Sequence, residues 1–445
     1  MNYLRMIRSV VMVLLCGMVA SAQEVRGTAE SPSQGGSVQA PKAAASGDSS
    51  SAEASTPATA SDKHKPAPPA DEPNKVSAVP TEQLSPELRT SRNELRRCLA
   101  YYFFRPESSA QRSPWGVMHA IVGFGVDTRL EAGAEDYSAI GWMCSNQSCQ
   151  GLRLFQLNDG KIAAPIAAGY QGHEGQFLHI MAFSRVPKDY AMKIDGHDFT
   201  IEDLIQREQQ TCRSGTELTF KLAALVHYLD SDAAWRNQSG EEWSMERLIK
   251  EELSQTVTGA ACGGTHRLMG LGYAVRKRQE RGEPLTGQWA RAKNFVEDYV
   301  ALAYKLQNSD GSFSTNWFAG SGSGGDINRK LNTTGHTLEW LLVSLPDDQL
   351  NNPRLVKAAQ CLTALMWNYR DRAWEIGPRG HALHALALVD ERVFGGKPGE
   401  RKVELAQARD DQAGRIAGGP EFNVSESRTP VKSVPRTGLF GRGRR

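Results

Sequence analysis

Five histidines stand in the same local setting along this chain, and that setting is the first sign of chemistry. Each follows a glycine by one to three residues and leads into an apolar run: "GVMHAIVGFG" (His119), "GHEGQFLHIMAF" (His173), "GGTHRLMGLGYAV" (His266), "GHTLEWLLVSL" (His336) and "GHALHALALV" (His381). A sixth run, "GTELTFKLAALVHYL", carries Glu217 where the others carry histidine, and it fills the widest gap in the series. An imidazole at the start of a helix meets the positive end of the helix dipole, which disfavours imidazolium and keeps the neutral form that binds metal or accepts a proton. The sequence therefore predicts a cavity lined by His119, Glu217, His266 and His381, with His173, Glu174, Asp310 and His336 as the acid–base groups. The competing reading is that each imidazole braces a helix start against a neighbouring loop. His179, His227 and His384 lie deeper in the apolar runs and read as satisfied core residues, while His64 and His197 lie outside the pattern.

Metal-ligand spacings are sparse. Cys262 with His266 (i, i+4) and His381 with His384 (i, i+3) are each placed to share a zinc ion. Neither pair has a second pair adjacent in sequence, so no metal centre is assigned; the cofactor stays open, with zinc the one the spacings admit. His173 and Glu174 begin like the H-E-x-x-H helix of zinc proteases, but the second histidine position is Phe177, so that motif fails.

The groups converge only if the elements carrying them are arranged to do so. Between the six apolar runs lie amphipathic stretches such as "PELRTSRNELRRCLAYYF", "TIEDLIQREQQTC", "SMERLIKEELSQ" and "PRLVKAAQCLTALMWNY". Helix-start signals stand at Thr200 before Glu202 and Asp203, at Ser244 before Glu246, and at Pro353. Apolar and amphipathic helices alternate six times, which predicts an all-α fold, an (α/α)6 toroid of six helical hairpins with the apolar helices inside. One rim is expected to carry a small β-hairpin over 149–169, turning at Asn158-Asp159-Gly160, and "MKIDGHDFT" is expected to add a short extended piece. A Gly/Ser-rich segment over 319–334 reads as the one long irregular loop.

The ends are of different composition. Residues 1–22 read as a secretory signal peptide, with Arg5 and Arg8 before an apolar core and a small-x-small site at Ala20-Ser21-Ala22. A lipoprotein anchor at Cys16 is the alternative, opposed by the large Leu15 before it. Residues 23–85 are rich in Ala, Ser and Pro and read as a disordered linker, and 395–445 as a disordered basic tail able to touch anionic surfaces. The folded part is then 86–394, exported to the periplasm or beyond. No segment is long and apolar enough to span a membrane. With 52 Lys+Arg against 50 Asp+Glu, the net charge of +2 argues against a dedicated nucleic-acid binder. Seven cysteines less Cys16 leave an even six, which in an exported chain suggests disulfides. On the toroid the expected pairs are Cys144 with Cys149, Cys212 with Cys262, and Cys98 with Cys361.

At "YKLQNSDGSFSTNWF" followed by "TTGHTLEWLLVSL" the chain resembles the terpenoid cyclase and protein prenyltransferase superfamily, and over 86–394 it also resembles secreted proteins of planctomycete-type bacteria. Gln307, Asp310, Gly311 and Phe313 match the Q-x-x-D-G-x-F/W repeat that ties adjacent hairpins in squalene-type cyclases. The resemblance implies a toroid with a ligand cavity. It does not carry over a reaction: the D-x-D-D acid motif is replaced by "DSDAAW", with Ala233 after Asp232. The prenyltransferase zinc set would need a cysteine where Ser312 stands, although Asp310 and His336 could fill its other places. Three functions follow as expectations: a terpenoid-cyclase-like protein binding a ligand in its histidine-lined cavity; a polysaccharide lyase or glycosidase of the six-hairpin type, for which Glu174, Glu217 and Asp310 are the only inner-rim carboxylates; and a non-catalytic binding or scaffold module.

Overall fold

The computed structural model describes residues 84–413. The signal peptide expected over 1–22, nearly all of the linker expected over 23–85 and residues 414–445 of the expected tail lie outside the described residues.

The described chain is predominantly helical, with thirteen α-helices and four small sheets. Six helices are buried on most sides: α2 (Pro114–Phe124), α4 (Gln176–Phe183), α6 (Thr219–Tyr228), α8 (Thr265–Glu280), α10 (Ile327–Ser344) and α12 (Ile376–Phe394). In α6 every residue from Thr219 to Val226 is buried. They alternate with α1 (Pro86–Phe103), α3 (Ala139–Cys144), α5 (Ile201–Gln210), α7 (Met245–Leu253), α9 (Gly287–Leu306) and α11 (Pro353–Asn368). These are mostly amphipathic: α5 buries Ile201, Leu204 and Ile205, and α7 buries Met245, Leu248, Ile249 and Glu252. Each leucine or isoleucine so buried stabilises the fold by about 1.5–3 kcal/mol.

The buried helices pack in succession, α2 on α4, α4 on α6, α6 on α8, α8 on α10 and α10 on α12, and α12 packs on α2. Glycine sets how closely they approach. A Cβ at Gly380 would stand 2.3 Å from the His119 carbonyl oxygen, and one at Gly335 3.0 Å from Ala382 Cα. The glycine before His336 and before His381 is thus a helix–helix contact, not a helix start. Three of the helices begin earlier than the sequence suggests. Ser113 caps α2 through the Gly116 N–H, Asp326 caps α10 through the Asn328 N–H, and α12 opens at Ile376. His119, His336 and His381 consequently lie inside helices, and the Gly/Ser-rich loop ends at Asp326 rather than at 334.

The single rim hairpin expected over 149–169 is one of four small sheets. Strands β1 (Glu107–Ser108), β2 (Arg129–Ala132) and β3 (Glu135–Ser138) form the first, with β1 parallel and β3 antiparallel to β2. The others are β4 (Gln156–Asn158) with β5 (Lys161–Ala163), β6 (Ala191–Ile194) with β7 (His197–Thr200), and β8 (Ala234–Arg236) with β9 (Glu242–Ser244). The Asp159-Gly160 and Asp195-Gly196 loops have positive φ at both residues, as the tight hairpin turns require. Three strands end on the cap of the next helix. Ser138 accepts from the Gly141 N–H, Ser244 accepts from the Arg247 N–H, and the Thr200 N–H donates to Asp203. The "DSDAAW" segment leads into β8, and Asp232 pairs with Arg278 at 2.8 Å on an otherwise exposed side chain.

The Q-x-x-D-G-x-F segment works as a brace. Gln307 Nε2 donates to the Gly311 and Arg354 carbonyls, both at 2.9 Å, tying the end of α9 to α11. Gly311 has φ +94°, and a Cβ there would meet the Lys357 carbonyl at 2.5 Å. Gln307→Ala is expected to lower stability by about 1–3 kcal/mol, read as a lower urea midpoint; an unchanged midpoint would show the tie to be idle.

Two expectations are corrected. The folded part does not end at 394, because α13 (Arg401–Ala413) packs on α1. Its Leu405 is fully buried, and the buried Arg401 lies 3.7–3.8 Å from Asp127, Asp390 and Glu391. The charge-rich composition of this helix hid its docking face. All six cysteines among the described residues are free, so the pairs Cys144 with Cys149, Cys212 with Cys262 and Cys98 with Cys361 are not formed. Their thiols are held locally instead: Cys149 Sγ lies 3.7 Å from Met143 Sδ, Cys212 donates to the Glu208 carbonyl, and Cys98 and Cys144 are buried within α1 and α3.

Candidate functional site

Helices α2, α8, α10 and α12 and the bend that leads into α4, which carries His173, bring the five histidines together. Ring centroids are 5.6 Å apart for His119 and His381, 3.9 Å for His381 and His336, 5.3 Å for His336 and His266, and 5.6 Å for His266 and His173. Trp115 lies against His119 at 4.0 Å, Phe220 against His173 at 4.6 Å and Trp317 against His336 at 5.9 Å. Glu217 joins the cluster by accepting from His173 Nδ1 at 2.6 Å.

Two of the proposed acid–base groups point elsewhere. Glu174 accepts from Arg213 at 2.7 Å and lies 3.1 Å from the ammonium of Lys221, a fully buried side chain that also meets Glu208 and Thr211. Asp310 accepts from the Ser312 N–H and hydroxyl and from Lys330 at 2.9 Å, with its side chain half exposed. A prenyltransferase-like zinc set on Asp310 is therefore not built here, since its carboxylate is committed to Lys330 and Ser312.

The carboxylate that the sequence reading missed is Glu339. One turn after His336 on α10 and 2 % exposed, it accepts from His381 Nδ1 at 2.7 Å and from His384 Nδ1 at 2.6 Å. Burial by itself pushes this carboxyl up, but the His381 interaction and the two hydrogen bonds outweigh it and hold it well below the usual carboxylate range. Donation from Nδ1 leaves Nε2 of both rings as the basic nitrogen. The signal was present: Glu339 is the lone charge inside "TLEWLLV", and a charge in a buried helix needs a partner. His384, read as a core residue, is one of those partners.

A cavity of 60 Å³ adjoins these groups. Its polar wall includes His119, His179, His266, His381, His384 and Glu339, and its apolar wall includes Val122, Phe124, Ile180, Phe183, Phe220 and Leu388. At about 10–15 Å³ per water, this space admits several waters or one small group. Cys262, His266 and His336 also offer one ligand-type atom each within 4.8 Å of one another, which makes them the metal-capable group among the described residues.

His119, His179, His266 and His336 are held in the neutral form by burial. Desolvation, then the neighbouring His381, lowers His119 to about 3; desolvation lowers His179 to about 3, and lowers His336 to about 3 with His381 adding to the effect. Helix dipoles are a poorer explanation, because most of these rings are not at helix starts. A stability consequence follows from His119 and His179. The unfolded chain takes up protons near the ordinary value of 6.5, whereas the folded chain does so only near 3. Stability is therefore complete above that ordinary value and falls as pH drops through the window, by about 1.4 kcal/mol per pH unit for each ring. Thermal melts of the wild type should show a falling midpoint on mild acidification, less steep in His179→Phe; a flat profile would contradict the buried neutral assignment.

Comparison with family models, curated proteins and solved structures finds no match to this chain.

Proposed function

We propose that the six buried helices and their amphipathic partners form a closed (α/α)6 toroid, and that the protein is an exported enzyme performing acid–base chemistry on a small ligand in the chamber at the toroid's centre. The observation that carries this reading is the Glu339 carboxylate shared between His381 and His384 at a cavity wall. A carboxylate on Nδ1 orients an imidazole, fixes its tautomer and stabilises the imidazolium formed when Nε2 takes a proton. His173, held by Glu217, is a second pair of the same kind at the neighbouring edge of the cluster. The contact of α12 with α2 supports ring closure, as does the resemblance to terpenoid cyclases and prenyltransferases. Phe124, Phe183 and Phe220 favour an apolar ligand body, and the small volume favours a compact ligand or the head of a longer one. Polymer cleavage has less support, because Glu174, Glu217 and Asp310 are each engaged by a different basic partner instead of facing one another.

Mass spectrometry of small molecules released from the purified full chain tests this reading. Val122 is a partly exposed cavity wall residue, so Val122→Phe fills the chamber from one side. A compound enriched on the wild type and missing from a folded Val122→Phe variant is expected; equal retention by both would overturn the chamber as the binding site.

A further inference from the structure

Three side chains, one of them the chamber-lining His266, are not explained by acid–base work. Cys262, His266 and His336 each place a ligand-type atom within 4.8 Å of the others. His266 is 5 % exposed, and neither of its ring nitrogens has a hydrogen-bond partner among the described residues. His336 is 2 % exposed, and its Nε2 is likewise unpartnered. A buried polar atom left unpaired costs about 1–3 kcal/mol, and here such atoms gather at one place beside a thiol.

The surroundings are those of a held ligand set. His336 Nδ1 donates to the Asn332 carbonyl at 2.9 Å, which puts the lone pair on Nε2. A metal-bound histidine is oriented the same way, through a hydrogen bond from its other nitrogen. Cys262 sits in the left-handed region at φ 50°, ψ 35°, ahead of Gly263 and Gly264 at φ 64° and 79°. The Thr265 hydroxyl pins this turn by donating to the Cys262 carbonyl at 2.8 Å. Trp317, also left-handed at φ 55°, covers Gly263 so closely that a Cβ there would fall 2.1 Å from its ring. A non-glycine residue in that region costs about 1–3 kcal/mol and persists where the surroundings enforce it, often at functional sites. Two of them meet here.

We propose that Cys262, His266 and His336 bind a zinc ion, with a fourth position open to water or ligand. One thiolate with two imidazoles is a borderline-soft set, suited to zinc and unsuited to magnesium or calcium. Bonds of about 2.3 Å to sulfur and about 2.0–2.1 Å to nitrogen place tetrahedral ligand atoms roughly 3.5 Å apart. The group therefore closes by about 1 Å on binding, and His266, with no hydrogen bond to break, is the ring that turns. The thiol proton leaves to solvent as the Zn–S bond forms. Three protein ligands with an open position are the pattern of a zinc site that handles a ligand, as distinct from a closed structural site. The site stands independently of the Glu339 reading.

The test uses the full chain, stripped with chelator and titrated with zinc or cobalt alone. About one ion per chain is expected, and X-ray absorption of the wild-type zinc form should show one sulfur at about 2.3 Å with nitrogens at about 2.0–2.1 Å. The cobalt form should show a thiolate charge-transfer band that Cys262→Ser abolishes, and His266→Gln should weaken zinc by at least ~10–100-fold, the scale of a lost ligand or of its supporting shell. Val122→Phe should keep the ion even where it loses the chamber ligand, which separates the two readings. Absence of uptake by the wild type, or uptake with no sulfur in the absorption spectrum, would overturn the proposal without recourse to any variant.

Discussion

Glu339→Leu is expected to lower stability by about 3–5 kcal/mol, the scale of removing one partner from a buried, charge-assisted pair. Leucine supplies no acceptor, so the Nδ1–H groups of His381 and His384 lose bonds of 2.7 and 2.6 Å to a carboxylate that is 2 % exposed. Glu339→Gln separates structure from chemistry. The amide keeps the shape and accepts from only one imidazole, so the other ring must change tautomer or go without. Gln is therefore expected to cost clearly less stability than Leu while removing ~10²–10⁴-fold of any acid–base turnover, the usual contribution of a positioned base. Urea denaturation of the three proteins reads the first effect. Equal midpoints for wild type and Glu339→Leu would mean that the carboxylate does not bridge the two rings.

The second large effect belongs to Gly380. Its Cα faces the backbone of α2, and a Cβ would lie 2.3 Å from the His119 carbonyl oxygen and 3.3 Å from the His119 Cβ. Backbone cannot rotate away, so α12 must shift bodily, carrying His381 away from His119. Gly380→Ala is expected to cost about 3 kcal/mol, the upper end of ordinary overpacking, and Gly380→Val more. Gly123, on the same α2–α12 contact, supplies the contrast. A Cβ there would stand 3.3 Å from Leu383 Cβ and 3.8 Å from the Gly380 carbonyl oxygen, distances that a shift of a few tenths of an ångström relieves. Gly123→Ala should therefore cost clearly less than Gly380→Ala; the reverse order in chemical denaturation would show that helix spacing is not set at Gly380.

What the sequence disclosed follows from how local each signal is. The buried helices were legible because a fully buried helix must be apolar on most faces, as in "TFKLAALV" of α6. The convergence of His119, His173, His266, His336 and His381 followed from their repeated place in those runs. Glycine marks the opening of each apolar run in the sequence and so misplaces the helix starts, while Gly335 and Gly380 answer to a neighbouring helix that no local pattern reveals. Hairpins before α3 and α7 escaped notice because their strands are short. Even so, an aromatic residue followed by Ser or Thr ends all three capping strands, at Tyr137-Ser138, Phe199-Thr200 and Trp243-Ser244. Asp310 and Glu174 looked like site carboxylates because sequence shows the acid and not the base that claims it, Lys330 in one case and Arg213 with Lys221 in the other. Cys262 pairs with Cys212 on the toroid expectation because both precede neighbouring inner helices, whereas its nearest chemistry is with His266 and His336.

The central claim is that Glu339 holds two imidazoles with Nε2 as the basic nitrogen at the chamber wall. Long-range proton–nitrogen NMR on the histidine-labelled full chain, at mildly alkaline pH, observes this directly. Both His381 and His384 are predicted to be Nδ1–H tautomers with slowly exchanging protons, and Glu339→Gln should convert or broaden one of them. An Nε2–H tautomer at both rings in the wild type would contradict the account.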